Sequence, residues 1–228
     1  MSKIFLVDAD DTVLNFHGVA QCALVYAFES FGLEWKEEYL AQYLKVNDGL
    51  WAALERRELT RSELMSKRFH WFLPTIGIDD IDFDLFNKTY LTYLSTKPRY
   101  FDGAEAFLAE LSKLGRVFIV TNGTQSIQKS RFDIVDLWSK AEKVFISEEV
   151  GYDKPAREYT NFVIANIPNF DKENCYWIGD SLSADIKAAN DAGITSIWFN
   201  PKGKPGSDKA TPNFTARTFE EILEFCKQ

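Results

Sequence analysis

The chain has 228 residues, 46% hydrophobic and 26% charged, with a net charge of −8. That length accommodates one large domain or a core with a modest insertion, and the composition is that of a globular protein. The acidic balance argues against non-specific binding to a nucleic-acid polymer or an anionic membrane. It leaves room for a small phosphorylated substrate, because a metal and a few local cations can reverse the field inside one cleft.

The three cysteines, Cys22, Cys175 and Cys226, are widely spaced in apolar settings. They form neither a disulfide framework nor a zinc pattern and read as reduced thiols. The sequence shows no charged-then-apolar leader and no long apolar span, so a cytoplasmic location is expected.

The first predicted element is the apolar run Ile4-Phe5-Leu6-Val7, the pattern of a strand buried on both faces of a parallel sheet. It runs into three carboxylates within four positions, Asp8, Asp10 and Asp11. Asp8 and Asp10 share strand parity, although Asp10 falls where a strand gives way to a loop. So crowded a cluster repels itself unless it shares a cation or a proton, which implies a hard, oxygen-seeking ion such as Mg2+. On its own the stretch fits a solvated acidic turn equally well.

From Phe16 to Lys97 the pattern is helical throughout. Ala23, Tyr26, Ala27 and Phe31 form a stripe that stops at Gly32, and further helices are expected over Glu37–Leu44, Gly49–Arg57, Ser62–Trp71 and Phe83–Leu94. Trp35, Tyr39, Tyr43, Trp51, Phe69, Trp71 and Phe72 are expected mainly in the core of this segment.

Strand–helix alternation resumes near Pro98. A helix capped by Asp102 or Gly103 ends at Gly115, and the strand Arg116–Thr121 turns through Asn122-Gly123 into a helix running toward Trp138. Strands over Lys143–Ser147, Asn174–Ile178 and Thr195–Phe199 follow, separated by helices over Arg157–Ile167 and up to Gly193. The last helix opens on a Thr218-Phe219-Glu220-Glu221 capping box.

The expected fold class is therefore α/β, a Rossmann-like parallel sheet with helices on both faces. Residues 1–15 and 98–228 form its core. Residues 16–97 form an all-helical cap inserted after the first strand, placed to act as a lid. Parallel strands end on one edge, where open α/β sheets bind ligands. That edge collects Asp8 and Asp10, then Thr121, Asn122 and Gly123, then Lys154 after the third strand, then Asp180 and Asp185. Singly, each has an ordinary structural reading. Together, a hydroxyl, backbone N–H groups at a helix start, a lysine and an acidic metal site make a phosphate pocket.

In these residues the chain resembles the haloacid dehalogenase-like (HAD) hydrolase superfamily. Asp8-Ala9-Asp10-Asp11-Thr12 matches its first motif, Thr121 its second, Lys154 its third, and Gly179-Asp180 with Asp185 its fourth. Three further stretches resemble the pyrimidine 5′-nucleotidase, or house-cleaning nucleotidase, branch. They are Val46-Asn47-Asp48-Gly49-Leu50-Trp51, Ile146-Ser147-Glu148-Glu149-Val150-Gly151 and Trp198-Phe199-Asn200-Pro201.

The resemblance implies Mg2+-dependent hydrolysis of phosphomonoesters through an aspartyl-phosphate, with nucleoside 5′-monophosphates as the expected substrates. It assigns Asp8 as nucleophile and Asp10 as acid and base. Asp8, the Asp10 carbonyl and Asp180 would bind the metal, with Asp185 assisting. Thr121, the Asn122 and Gly123 amides and Lys154 would hold the phosphate, while Thr12 bonds an acidic side chain. Asp11 takes a structural part. In the cap, Asn47, Trp51 and Arg68 are the candidate contacts to sugar or base. The same motifs serve a sugar phosphomutase or a broad small-metabolite phosphatase, and a non-catalytic binding protein is a weaker alternative. A monomer or small homo-oligomer is expected.

Overall fold

Strand β1 (Lys3–Val7) lies inside a six-stranded sheet. It pairs in parallel with β2 (Gly115–Thr121) on one side and β4 (Cys175–Gly179) on the other. β3 (Lys143–Ile146), β5 (Thr195–Phe199) and β6 (Phe214–Ala216) complete the order β3-β2-β1-β4-β5-β6, every pairing parallel. The computed structural model describes residues 2–208 and 210–228. No helix among the described residues is long and apolar enough to cross a membrane.

Both faces of the sheet are covered, which is why its strands run apolar without alternation. Phe5 and Val7 belong to one core with α5 (Ala104–Leu114), α6 (Gln125–Ile134) and α10 (Phe219–Lys227). Ile4 and Leu6 belong to the other with α8 (Arg157–Ala165) and α9 (Lys187–Ala192). The strand order reverses between β1 and β4, and a ligand crevice forms at such a switch point, beyond the strands' carboxyl ends. α7 (Ser147–Val150) follows β3, and a π-helical turn, Leu182–Ile186, leads into α9.

The chain divides into two compact units. One is the sheet unit, the residues up to Phe16 together with Pro98–Gln228; the other is His17–Lys97. The second carries most of α1 (Phe16–Ser30), with α2 (Glu38–Glu55), α3 (Arg61–Phe72) and α4 (Phe83–Thr96). Its interior is aromatic, with Phe28, Tyr43, Phe69, Phe72, Phe86 and Tyr90 all buried. Phe69 sits 4.9 Å from Phe86 and 5.0 Å from Tyr90, ring centre to ring centre.

Four local expectations change. α2 is one helix where two were expected, because Tyr43, Asn47 and Leu54 all face inward and burial on that side outweighs the roughly 1 kcal/mol that Gly49 costs mid-helix. Trp71 is 40% exposed, turned away from the aromatic core. β6 is a three-residue strand with too little pattern to read. The helix toward Trp138 ends at Ile134, and a separate 3-10 turn spans Leu137–Lys140.

Candidate active site

β1 hands its last backbone bond to Asp8, whose N–H donates to the Ile178 carbonyl of β4 at 2.9 Å. Asp8 is buried at the end of the strand. Its Oδ1 accepts from Lys154 Nζ at 2.6 Å, and its Oδ2 accepts from Thr12 Oγ1 at 3.0 Å. The turn that brings Thr12 back passes through Asp11, which takes a left-handed φ of 59° that aspartate tolerates.

Lys154 spends all three ammonium protons inside the protein, on Asp8 Oδ1 at 2.6 Å, Asp185 Oδ1 at 2.7 Å and the Val120 carbonyl at 2.9 Å. Burial works against its charge, but the carboxylates of Asp185 and Asp8 more than offset that and hold the ammonium well above its ordinary pKa. Its backbone is clamped by Asn122, whose side chain accepts from the Lys154 N–H at 2.8 Å and donates to its carbonyl at 2.9 Å. The Asn122 side chain is thus a support for Lys154, a part the sequence did not suggest. Asp8 is pushed well above the usual carboxylate range, first by burial and then by Asp185 and Asp180, with Lys154 pulling the other way.

Asp180 follows β4, its carbonyl accepting from Trp198 Nε1 at 2.8 Å. Lys204 Nζ lies 3.6 Å from Asp180 Oδ2. Asp185 is fully buried and also accepts from Trp177 Nε1 at 3.3 Å and the Ser181 N–H at 3.2 Å. It steadies Lys154. It reaches β4 only because residue 179 is glycine, since a Cβ there would lie 2.2 Å from the Asp185 carboxyl carbon. Asp8, Asp180 and Asp185 each offer an oxygen within 4.8 Å of the others. Three carboxylates against the two lysines Lys154 and Lys204 leave negative charge unmatched, and an all-oxygen donor set suits a hard divalent cation.

Thr121 ends β2, buried, its Oγ1 accepting from the Gly123 N–H at 3.1 Å and from Gln128 Nε2 at 2.9 Å. A hydroxyl that accepts twice keeps its proton to donate.

The Asp10 side chain goes elsewhere. β1 has ended, so parity with Asp8 no longer applies, and the carboxylate meets α6. Oδ2 accepts from Gln128 Nε2 at 2.9 Å, and Oδ1 forms an ion pair with Arg131 Nη1 at 2.6 Å. Gln128 and Arg131 were not foreseen. The available signal was two polar side chains three apart on the inward face of α6, beside buried Phe132.

Asn47, Trp51 and Arg68 all fall in the helical unit. Asn47 is buried, donating to Asp48 at 3.3 Å while its Oδ1 has no partner. Arg68 is buried against Tyr43, with Nη1 3.4 Å from its hydroxyl, and its Nε is unpartnered. Trp51 is half-buried, with the Arg61 guanidinium 5.6 Å from its ring centre.

A parallel α/β sheet in the order 3-2-1-4-5-6 carries an aspartate-rich, lysine-bridged cluster at its switch point, an arrangement suited to a hard cation and a phosphate. The family profile "haloacid dehalogenase-like hydrolase" matches residues 2–193, and the chain belongs to that family. It is 35% identical over 220 residues to YfnB of Bacillus subtilis (strain 168), which carries the name HAD-hydrolase, covering 96% of this chain and 93% of YfnB. The crystal structure of YfnB bound to magnesium superposes with a TM-score of 0.91 at 34% identity, covering 100% of this chain and 99% of that one. Two relatives are pyrimidine 5′-nucleotidases. PynA of Streptococcus pneumoniae is 30% identical over 223 residues, 97% of this chain and 94% of PynA. YjjG of Escherichia coli (strain K12) is 23% identical over 221 residues, 96% of each chain.

Proposed function

We propose that the protein is a Mg2+-dependent phosphomonoesterase that works through an aspartyl-phosphate and acts on nucleoside 5′-monophosphates, pyrimidine nucleotides first. The observation that carries the reading is Asp8, fixed by Lys154 and Thr12 at the mouth of the β1–β4 crevice beside Asp180 and Asp185. The substrate class rests on the likeness to PynA and YjjG.

In this reading Asp8, the Asp10 carbonyl and Asp180 hold the cation, with Asp185 behind them. When bound, the ion withdraws charge from the phosphate and brings it against a weak nucleophile. Asp8 attacks phosphorus in line with the leaving oxygen, the ester P–O bond breaks, and Asp10 gives that oxygen a proton. Water then attacks the phosphorus of the aspartyl-phosphate, Asp10 takes its proton, and the bond to Asp8 breaks to release inorganic phosphate. The Thr121 hydroxyl and the Asn122 amide bind the equatorial oxygens, while the Gly123 N–H, expected to join them, is given to Thr121 Oγ1 and holds that hydroxyl in place. Lys154 keeps Asp8 oriented and balances its charge. The helical unit supplies the substrate-selecting side chains. Asn47 and Arg68 are the candidates, since each is buried with a polar atom unspent, and Trp51 offers a ring to a base.

The test is phosphate release from a panel of phosphate esters, nucleoside monophosphates and sugar phosphates included, with and without Mg2+. Release should need the metal, favour pyrimidine 5′-nucleotides and vanish in Asp8→Asn. Full activity in Asp8→Asn, or isomerised sugar phosphate in place of free phosphate, would overturn the proposal.

A further inference from the structure

Asp10, Gln128 and Arg131 form a closed triangle. Arg131 Nη1 donates to Gln128 Oε1 at 2.7 Å and lies 2.6 Å from Asp10 Oδ1, while Gln128 Nε2 donates to Asp10 Oδ2 at 2.9 Å. Gln128 and Arg131 are both 1% exposed. Helical spacing of three puts them on one face of α6, but Asp10 comes from 118 residues away.

The arrangement has a direction. An amide can present either its oxygen or its nitrogen to a neighbour. Arg131, which can only donate, fixes the Gln128 oxygen toward itself and so turns the NH2 group toward Asp10. The same Nε2 donates to Thr121 Oγ1 at 2.9 Å, which ties the Asp10 carboxylate to the hydroxyl at the end of β2. Room for this amide exists only because residue 123 is glycine, since a Cβ there would stand 2.3 Å from Gln128 Nε2. α6 itself is anchored from the β3 side, where Glu148 accepts from the Gln125 N–H at 2.5 Å and Glu149 pairs with Lys129 at 2.8 Å.

A buried guanidinium is costly unless its presence is compensated. Arg131 has one carboxylate and one amide on Nη1, the Phe16 ring 5.8 Å away, and no partner for Nε or Nη2. Packing alone would be served better by an apolar side chain, and the polar bonds of the Arg131 guanidinium go to Asp10 and to the amide that holds it.

We propose that Gln128 and Arg131 are positioning residues that fix the Asp10 carboxylate for its proton transfers. This rests on the phosphatase reading, in which Asp10 serves the leaving oxygen. Two of the four lone-pair sites of the carboxyl group are taken by α6, which leaves the others to carry the proton given to the ester oxygen and to accept the proton of the attacking water. Neither residue touches the reacting atoms. They act by removing the rotational freedom of a side chain that lies beyond the end of β1.

The experiment compares two esters that differ in their need for a proton. An alkyl phosphate, taken as the best alkyl substrate of the panel above, leaves as an alkoxide and needs an acid. 4-Nitrophenyl phosphate leaves as a stabilised phenolate and does not. In Gln128→Leu and Arg131→Met, kcat/KM on the alkyl ester should fall by about 10- to 100-fold, and that on 4-nitrophenyl phosphate by less than about threefold. Arg131→Lys, which keeps a cation and donors, should recover part of the loss. Circular dichroism identifies any variant that fails to fold, and Gln128→Leu, which removes no charge, carries the comparison if Arg131→Met does. Equal losses on both esters would mean a general effect on the pocket and would overturn the proposal, as would no loss on either. A wild-type protein that cleaves neither ester refutes the phosphatase reading itself, and this assignment with it.

Discussion

Lys154 sits between two buried carboxylates, and its three bonds to Asp8, Asp185 and the Val120 carbonyl make it the electrical centre of the site. Removing one partner of a buried ionic group costs about 3–5 kcal/mol, because the charges left behind have no water to turn to. Lys154→Met should therefore lower stability by about that amount in urea unfolding, and a loss below about 1 kcal/mol would show that the carboxylates do not depend on it. That Asp8, Thr121 and Asp180 stand at one sheet edge was legible because each is a polar residue closing an apolar strand run, while Lys154 and Asp185 lie further on, past α7 and within the turn after β4. Gln128 and Arg131 were not legible, because a polar residue on a helix looks like surface until its partner is known, and that partner is Asp10, far back in the chain. The Asn122 side chain escaped for the same reason, its bonds running to the Lys154 backbone.

At the scale of elements, apolar strands bounded by turn residues were readable to within about a residue, as β5 (Thr195–Phe199) and β2 (Gly115–Thr121) illustrate. β6 was not, since Phe214–Ala216 is held to β5 by pairing rather than by any pattern of its own. The gap left between the helices expected over Glu37–Leu44 and Gly49–Arg57 lies inside α2, where tertiary burial of Asn47 and Leu54 overrides local propensity. α3 keeps a full capping box, with the Thr60 side chain accepting from the Glu63 N–H at 3.2 Å and the Thr60 N–H donating to Glu63 Oε2 at 2.9 Å. Thr60→Ala should destabilise the helical unit by about 1 kcal/mol, read as a lowered urea midpoint. An unchanged midpoint would mean that packing against α2 and α4 alone defines the start of α3.

At the scale of the whole molecule, part of the pH sensitivity lies in the two cores of the sheet. Burial pushes the Cys175 and Cys226 thiols up to about 12 from an ordinary 9.0. Between those values the folded protein retains protons that the unfolded chain releases. The stabilisation is therefore complete below about pH 9 and is lost as pH rises toward 12, by up to ~1.4 kcal/mol per unit for each thiol. Urea unfolding at pH 8 and pH 10 should differ by about 3 kcal/mol, and Cys226→Ala should show about half that difference. Equal stability at the two pH values would contradict this account. The α/β architecture, its parallel order and the acidic edge all follow from strands alternating with helices, and these generate a crevice where β1 and β4 part. The proposed reaction at that crevice passes through two in-line displacements, the first by Asp8 and the second by water. Each inverts phosphorus, so the pair restores the starting arrangement. The most direct test is hydrolysis, in 17O-labelled water, of a nucleoside 5′-phosphorothioate made chiral at phosphorus with 16O and 18O, which releases a chiral thiophosphate. Retention of configuration in the released thiophosphate is the predicted result, and inversion, the mark of direct attack by water, would contradict the assignment of Asp8 as nucleophile.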